Sequence, residues 1–254
     1  MAMKKVLYFY WYVSKKGWHQ IYDLHLENLN RYKDIFDSVN FVISTDEDTD
    51  EESINKTIDK LKGVRNDANF IRFRNDKQSR ESKFFYDELI CNLPSFPENV
   101  AIFFAHNKGV DSRYVSSKEL KNWINVMYFA NLSNKEKISE LLVDNNTYTI
   151  GTNTIVNYNS SNLKFAKYKW HYSGTFFWLV PKRIYLHIIE NGIEVLDNTG
   201  RYYAEGFWGT IFPADSEHCV KLFGTKKNTD TFKSYVERFD EVNKKKYKEI
   251  YGEE

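Results

Sequence analysis

Apolar and polar residues follow two different periodicities in the first hundred positions of the chain. Short β-rich apolar runs alternate with stretches whose apolar residues recur every three or four positions, which predicts strands alternating with helices. The predicted strands span 5–13, 39–43, 69–73 and 99–105, and the predicted helices span 18–36, 51–62 and 79–93. Such alternation implies right-handed crossovers and a mainly parallel sheet, whose ligands bind beyond the carboxyl ends of the strands.

The second half of the chain has a different pattern, in which helices precede short aromatic strands. Ser116 and Glu119 form a capping box that predicts the start of a helix. Further helices are predicted at 135–142 and 181–189, and strands at 148–151 and 170–180. No low-complexity linker separates the two patterns. We therefore expect one continuous α/β domain with two halves.

Composition narrows the classes of function. The formal net charge is +1, which gives no global electrostatic reason to bind nucleic acid, so no nucleic-acid partner is expected. Aromatic residues make up 17% of the chain, and their rings suit surfaces that stack sugars or bases. The 2 cysteines cannot form a disulfide framework, and no leader or membrane-spanning run is recognisable. A cytoplasmic location is the resulting expectation.

Several familiar motifs are missing from the sequence. It contains no Gly-x-Gly-x-x-Gly turn and no Gly-x-x-x-x-Gly-Lys-Ser/Thr loop, which counts against a nicotinamide dehydrogenase and a P-loop ATPase. A Gly-x-Ser-x-Gly elbow is also missing, which counts against an α/β-hydrolase. The 6 histidines show no zinc-binding spacing.

Polar side chains follow the second and third predicted strands, at the edge where a ligand would bind. Asp46 comes directly after the second strand, where an acidic residue can reach a ribose or a base edge. Asn75 and Arg80 follow the third strand, and Arg80 could reach a diphosphate. The alternatives are a solvated acidic loop over 46–52 and a surface turn with an Arg–Glu pair.

The segment after the fourth predicted strand is more specific. His106, Asn107, Lys108 and Gly109 form a polar turn at the same edge of the sheet. Lys108 would supply a point charge for a phosphate, and Gly109 would allow a close backbone approach. A tight turn with a stray histidine is the alternative interpretation.

Two segments of the second half carry further candidate chemistry. Strand periodicity over 170–180 places His171, Ser173 and Thr175 on one face, where they could hydrogen-bond hydroxyls; the alternative is an aromatic core strand with satisfied polar groups. Glu205 lies between aromatic residues and glycines, which makes it a candidate general base. A structural glutamate at a helix start is the other interpretation of Glu205.

Five segments together resemble a group of bacterial and viral glycosyltransferase-like proteins of surface polysaccharide synthesis. In chain order they are FFAHNKGV, KNWINVMYF, YTIGTN, WHYSGTFFWLVPKRIYL and RYYAEGFWG. The resemblance covers roughly 100–210 by motif. It implies a GT-A-like fold, with a Rossmann-type, mainly parallel sheet, helices on both faces and a mixed acceptor-side half. The nucleotide-binding half would span 1–105, the catalytic and acceptor half 106–230, and a charged C-terminal helix 231–254.

The expected activity is transfer of a sugar from a nucleoside-diphosphate sugar to a saccharide hydroxyl, with the stereochemistry left open. The residues expected to bind the nucleotide sugar are Asp46, Asn75, Arg80, His106, Asn107, Lys108 and Gly109. Ser173, Gly174, Thr175 and Trp208 would shape the sugar or acceptor pocket, and Glu205 and His171 would be catalytic. The alternatives are a non-catalytic saccharide- or nucleotide-sugar-binding protein with a degenerate fold, and an α/β transferase for another activated donor.

The resemblance also bears on whether the protein depends on a metal ion and whether it contacts a membrane. GT-A enzymes commonly hold Mn²⁺ or Mg²⁺ through Asp-x-Asp after the fourth strand, where this chain has His-Asn-Lys. We therefore expect a weak dependence on metal, with His106 and Asp111 as ligands if one is bound. The basic and aromatic tail could contact the inner membrane face that carries a lipid-linked acceptor. Interspersed acidic residues favour a solvated terminal helix instead.

Overall fold

The computed structural model describes most of the chain. The described residues are 2–15, 18–110, 118–152, 154–156, 168–172, 174–195, 200–223, 234–237 and 239–252. Two residues expected to contribute to the site, Asp111 and Ser173, lie outside these ranges.

Four parallel strands from the first half form one side of a seven-stranded sheet. They are β1 (Lys4–Tyr12), β2 (Ser38–Thr45), β3 (Asn69–Arg74) and β4 (Val100–His106), hydrogen-bonded in the order β3-β2-β1-β4. This is the strand order of a Rossmann-type half-sheet. The predicted α/β class with a mainly parallel sheet is confirmed. Because the four strands run in one direction, their carboxyl ends meet at the same edge.

The helices of the first half follow the predicted order. They are α1 (Gln20–Tyr32), α2 (Glu51–Val64) and α3 (Glu81–Phe84), with short 3₁₀ turns at Lys33–Ile35 and Leu93–Ser95. A π-helical segment, Phe85–Ile90, continues α3, so the helix predicted over 79–93 is shorter and less regular than expected. Pro94 lies in the 3₁₀ turn that follows and cannot donate a helical hydrogen bond.

The second half adds three strands to the sheet and a separate strand pair. Its elements are α4 (Lys118–Leu132), α5 (Lys135–Val143), β5 (Thr149–Gly151), β6 (Thr154–Val156), β7 (Trp170–Tyr172), β8 (Phe177–Leu179), α6 (Pro181–Glu190), α7 (Tyr203–Gly206), α8 (Trp208–Ile211), β9 (Cys219–Lys221), α9 (Ser234–Glu237) and α10 (Glu241–Tyr251). The sheet continues β4-β8-β5-β9, with β8 antiparallel to both neighbours. β6 and β7 form an antiparallel pair of their own.

The aromatic segment 170–180, predicted as one strand, is two strands in two different sheets. β7 pairs with β6, whereas β8 inserts between β4 and β5. Gly174 has φ 103° and Thr175 has φ 53°, so a left-handed turn interrupts the extended chain between β7 and β8. The strand periodicity that grouped His171 with Thr175 on one face therefore does not hold across the turn.

Two apolar cores cover opposite faces of the central sheet. Alternate residues of β4 belong to different cores, with Phe103 in one and Phe104 in the other. The first core also contains side chains of α1, α2, α4, α5 and α10, and the second contains side chains of α3, α6, α7 and α8. Helices therefore pack on both faces, as the sequence predicts.

The charged tail packs against the first core through its aromatic residues. Phe239 and Tyr247 are buried there, and Asp240 caps α10 by accepting the backbone N–H of Asn243 at 2.8 Å. The two buried rings are not available to a membrane surface, and the tail contact with lipid stays a prediction.

Within the described ranges, no helix combines the length and apolar character needed to cross a membrane.

A close contact between α8 and β7 makes the fold sensitive at Gly209. A Cβ atom there would lie 2.1 Å from the backbone oxygen of Trp170, which cannot rotate away. We expect Gly209→Ala to lower the free energy of unfolding by about 3 kcal/mol, the upper end of ordinary overpacking. Chemical denaturation measures this change. Gly63→Ala in α2, where no atom lies within 4 Å, is the matched control and should be neutral or stabilising. Equal stability of both variants would contradict the packing argument.

Candidate functional site

A cavity of about 780 Å³ opens at the carboxyl ends of the parallel strands. It is lined by Tyr10, Tyr12, Asp46, Asn75, Lys77, Arg80, Glu81, His106, Asn107, Lys108, Gly109, Val110, Glu119, Leu120, Trp123 and Arg201. All the residues that the sequence analysis grouped around a nucleotide sugar are among them. Its volume falls in the usual range for small-molecule sites.

Asp46 is held in place by a hydrogen-bond network across β1, β2 and β3. Its carboxylate accepts the Tyr12 hydroxyl at 2.9 Å and the Asn75 side-chain N–H at 2.8 Å. The Tyr10 hydroxyl donates to the Asn75 carbonyl oxygen at 3.1 Å and lies 2.5 Å from the Ser44 hydroxyl. Every member of the network has a protein partner, so the polar edge of the cavity is oriented before any ligand arrives.

Asn107 lines the cavity, but its side chain hydrogen-bonds backbone atoms. Its amide oxygen accepts the Tyr12 N–H at 2.9 Å, and its amide nitrogen donates to the Tyr12 carbonyl at 2.9 Å. The side chain thus joins the end of β1 to the turn after β4. Its role in the structure is to hold this edge together.

Lys108 connects the cavity to the candidate base. Its ammonium Nζ lies 3.5 Å from Glu205 Oε1 and 4.7 Å from the centroid of the Trp123 ring. Glu205 also accepts the Thr175 hydroxyl at 3.4 Å, and its side chain is 8% exposed. The structure therefore brings together Lys108, Glu205 and Thr175, which the sequence had selected separately. An ammonium has three N–H donors, so Lys108 keeps donors for a ligand.

A second carboxyl group, Glu81, lies beside His106. Glu81 Oε1 is 3.6 Å from His106 Nδ1, and both side chains are buried. Burial raises the pKa of Glu81 above its ordinary value, although the Lys108 charge opposes this. Burial, reinforced by Lys108, holds the pKa of His106 well below 6.5. The uncharged form is favoured for both the Glu81 carboxyl and the His106 imidazole, so this contact is not a fixed ion pair.

Backbone strain is concentrated around the same site. Among the described residues other than glycine, Arg80 and Thr175 have φ in the left-handed region, at 52° and 53°. Arg80 lines the cavity and Thr175 hydrogen-bonds Glu205. Such strain costs roughly 1–3 kcal/mol per residue and is typical of functional sites.

Three residues predicted for the sugar or catalytic region lie elsewhere. His171 is buried on β7 opposite Ile155 and is not one of the cavity residues. Trp208 is fully buried, and its ring lies 5.0 Å from that of Phe177, so it belongs to the second core and not to a pocket. A Cβ on Gly174 would lie 3.1 Å from the Trp123 ring, which places Gly174 behind the cavity wall.

The cavity lining mixes cations, anions and rings. Its cations are Lys77, Arg80, Lys108 and Arg201, and its carboxyl residues are Asp46, Glu81 and Glu119. Guanidinium and ammonium groups bind phosphates, and the rings of Tyr12 and Trp123 offer apolar faces. The sequence analysis missed Glu81, Arg201, Tyr12 and Trp123. The adjacent Arg80-Glu81 pair was the available signal, and it was read only as a possible surface pair.

The described side chains do not fit a divalent metal ion. Among the described residues, no three His, Cys, Asp or Glu side chains are arranged to hold one. Two carboxylates of the site have protein partners: Asp46 accepts hydrogen bonds from Tyr12 and Asn75, and Glu205 pairs with Lys108. The pairing of His106 with Asp111 stays a prediction, since Asp111 lies outside the described residues.

His25 is buried behind the cavity and is held uncharged. Burial lowers its pKa to about 4, although its bond to the Lys108 carbonyl opposes the shift. Because the unfolded chain binds a proton near pH 6.5 and the folded chain only near pH 4, the group stabilises the fold above pH 6.5. That stabilisation is lost as the pH falls towards 4.

We expect His25→Gln, which cannot titrate, to remove this pH dependence. Between pH 7 and pH 4 the unchanged protein should lose about 3 kcal/mol more of its unfolding free energy than the variant. Urea denaturation of both proteins at the two pH values measures the difference. Parallel losses would contradict the argument, because other groups would then carry the acid sensitivity.

The chain matches no protein-family model and no curated protein. The resemblance to glycosyltransferase-like proteins thus stays a prediction from the sequence motifs.

Proposed function

We propose that the chain is a glycosyltransferase with a GT-A-like arrangement, which moves a sugar from a nucleoside-diphosphate sugar to a saccharide hydroxyl. One observation carries the proposal. Side chains chosen for nucleotide-sugar chemistry at the ends of β2, β3 and β4 line one cavity of about 780 Å³. The proposal places the reaction in the cytoplasm, with a saccharide or a lipid-linked saccharide as acceptor.

The nucleoside would bind beside Asp46. The Asp46 carboxylate is oriented by Tyr12 and Asn75, and its side chain is 10% exposed. A carboxylate at this edge of a parallel sheet can accept a ribose hydroxyl or a base N–H. The ring of Tyr12 lines the same part of the cavity and can pack on the nucleoside.

The diphosphate would bind between Arg80 and Lys108. Both side chains line the cavity, and Lys77 and Arg201 add positive charge to it. Arg80 offers paired N–H donors, and Lys108 retains N–H donors beyond the one that faces Glu205. These cations would stabilise the negative charge that develops on the departing nucleoside diphosphate.

Glu205 is the candidate proton acceptor for an inverting transfer. The acceptor oxygen would form a bond to the anomeric carbon while the bond from that carbon to the phosphate oxygen breaks. The acceptor proton would pass to Glu205, and the electron pair of the broken bond would leave with the diphosphate. Lys108 contacts Glu205 and lines the cavity, so one side chain links the base to the leaving group.

A non-catalytic nucleotide-sugar-binding protein is the second candidate. One specific observation favours it: Glu205 is buried and already bound by Lys108 and Thr175, and it is not itself one of the cavity residues. In a protein without turnover, the role of Glu205 would be to position the Lys108 ammonium. Turnover therefore has to be measured separately from binding.

Titration calorimetry with UDP and GDP, followed by incubation with their sugar conjugates, tests the proposal. We expect one nucleoside diphosphate to bind and to raise the stability by about 2.7 kcal/mol at 100 times its dissociation constant. Release of that diphosphate from its sugar conjugate would favour the enzyme, and binding without release would favour the second candidate. Lys56→Ala, an exposed change on α2 outside the cavity, is the control. Binding of neither nucleotide would overturn the proposal.

A further inference from the structure

Two histidines support the turn that carries Lys108 from the side opposite the cavity. His25 Nε2 lies 3.1 Å from the Lys108 carbonyl oxygen, and His19 Nε2 lies 2.9 Å from the Val110 carbonyl oxygen. His25 belongs to α1, and His19 is its N-cap residue. Two backbone carbonyls of one turn are thus held by side chains of one helix.

The tautomer of His25 follows from its partners. A carbonyl only accepts, so Nε2 carries the proton, and Nδ1 accepts the Tyr128 hydroxyl at 2.9 Å. The ring is buried against Phe9 and Trp11, with centroids 5.9 Å and 6.4 Å away. The imidazole therefore has a single N–H, which points at the Lys108 carbonyl oxygen. The rings packed against it hold this orientation.

The two histidine bonds add to the backbone hydrogen bonds of the turn itself. The Lys108 N–H donates to the His106 carbonyl at 2.8 Å, and Gly109 follows with φ 91°. The two histidine-bound carbonyls lie on either side of Gly109, which is the most permissive residue of the turn. Their positions decide the direction in which the Lys108 side chain leaves the backbone.

We propose that His25 is a positioning residue, which fixes the Lys108 carbonyl and thereby directs the Lys108 ammonium towards Glu205 and the diphosphate site. His19 holds the far end of the same turn at Val110. The effect on ligand binding rests on the proposed function, whereas the effect on the turn does not. Neither histidine lines the cavity, so neither acts by touching the ligand.

A pair of substitutions at His25 separates the hydrogen bond from ring packing. His25→Phe keeps a ring against Phe9 and Trp11 but removes the N–H, whereas His25→Gln keeps an N–H donor near the position of Nε2. We expect His25→Phe to weaken binding of UDP or GDP, whichever binds the unchanged protein, by about tenfold. His25→Gln should bind within about threefold of the unchanged protein, because a side-chain N–H still reaches the carbonyl.

Hydrogen–deuterium exchange supplies a measurement that needs no ligand. His25→Phe should speed exchange of the amides at 107–110 while leaving the β2 amides at 41–43 unchanged, and His25→Gln should restore slow exchange at 107–110. If the unchanged protein binds neither nucleotide, the proposed function fails, but the exchange result still decides this inference. Unchanged exchange at 107–110 in His25→Phe overturns it, as does equal loss of protection in the Gln variant. If His25→Phe does not fold, His25→Leu replaces it, since it also removes the N–H, and unaltered exchange at 107–110 there overturns the inference as well.

Discussion

Glu205→Gln is expected to lower the rate of sugar transfer by about 10²- to 10⁴-fold, the usual contribution of a positioned proton acceptor. Glutamine has nearly the same shape, so the Thr175 hydroxyl can still donate to its side-chain oxygen, as it does to Glu205 at 3.4 Å. The amide cannot take the proton of the attacking hydroxyl. Affinity for the nucleoside diphosphate should be unchanged or tighter, because Lys108 loses a competing anionic partner.

Steady-state kinetics with saturating donor measures this effect, and two carboxyl residues that line the cavity supply matched variants. Glu119→Gln removes an exposed cavity carboxylate and should retain near-normal turnover. Glu81→Gln removes the buried neighbour of His106. If turnover collapses in Glu81→Gln and survives in Glu205→Gln, the proton goes to Glu81. If it survives in both, neither carboxylate takes the proton, and a transfer with retention of configuration becomes the better proposal.

The cavity residues at the ends of β2, β3 and β4 were predictable from the sequence, because those strands belong to one parallel sheet. Asp46, Asn75 and Lys108 are far apart in the chain, but each follows a strand of the same parallel sheet. Strand and helix periodicities were enough to predict that sheet, and its geometry then brings the strand ends together at one edge. No knowledge of side-chain packing was needed for this step.

The other side of the site depends on long-range packing that local periodicity does not encode. β8 inserts antiparallel between β4 and β5, and the left-handed turn at Gly174 and Thr175 redirects the chain just before it. Strand periodicity carried across that turn placed His171 in a pocket, but the structure buries it in the β6–β7 pair.

Two buried polar residues were hidden from sequence reasoning for the same reason. Glu81 adjoins Arg80, and the pair resembles an exposed ion pair until packing buries the carboxyl. His25 follows the helical spacing of α1 and looked like an ordinary position on its apolar face. Only the folded chain places it against the Lys108 carbonyl.

Lys108→Met is the change with the largest expected effect on donor binding. Methionine keeps an unbranched apolar stem beside Trp123 but removes the ammonium that faces both Glu205 and the cavity. A hydrogen bond to a charged group contributes about 1.5–3 kcal/mol. Affinity for the nucleoside diphosphate should therefore fall by about 10- to 100-fold, while Lys56→Met on α2 should leave it unchanged.

The same substitution leaves Glu205 as a buried carboxylate without its cation, which should lower the free energy of unfolding by about 1–3 kcal/mol. Adding Glu205→Gln removes the unpaired charge, so the double variant should recover most of that stability while donor affinity stays low. This separates the two roles of Lys108, because stability depends on its pairing with Glu205 and affinity on its charge at the diphosphate. Calorimetric titration and denaturation of the four proteins in the cycle measure both quantities. Affinity that recovers together with stability would mean that Lys108 acts on the ligand only through the fold.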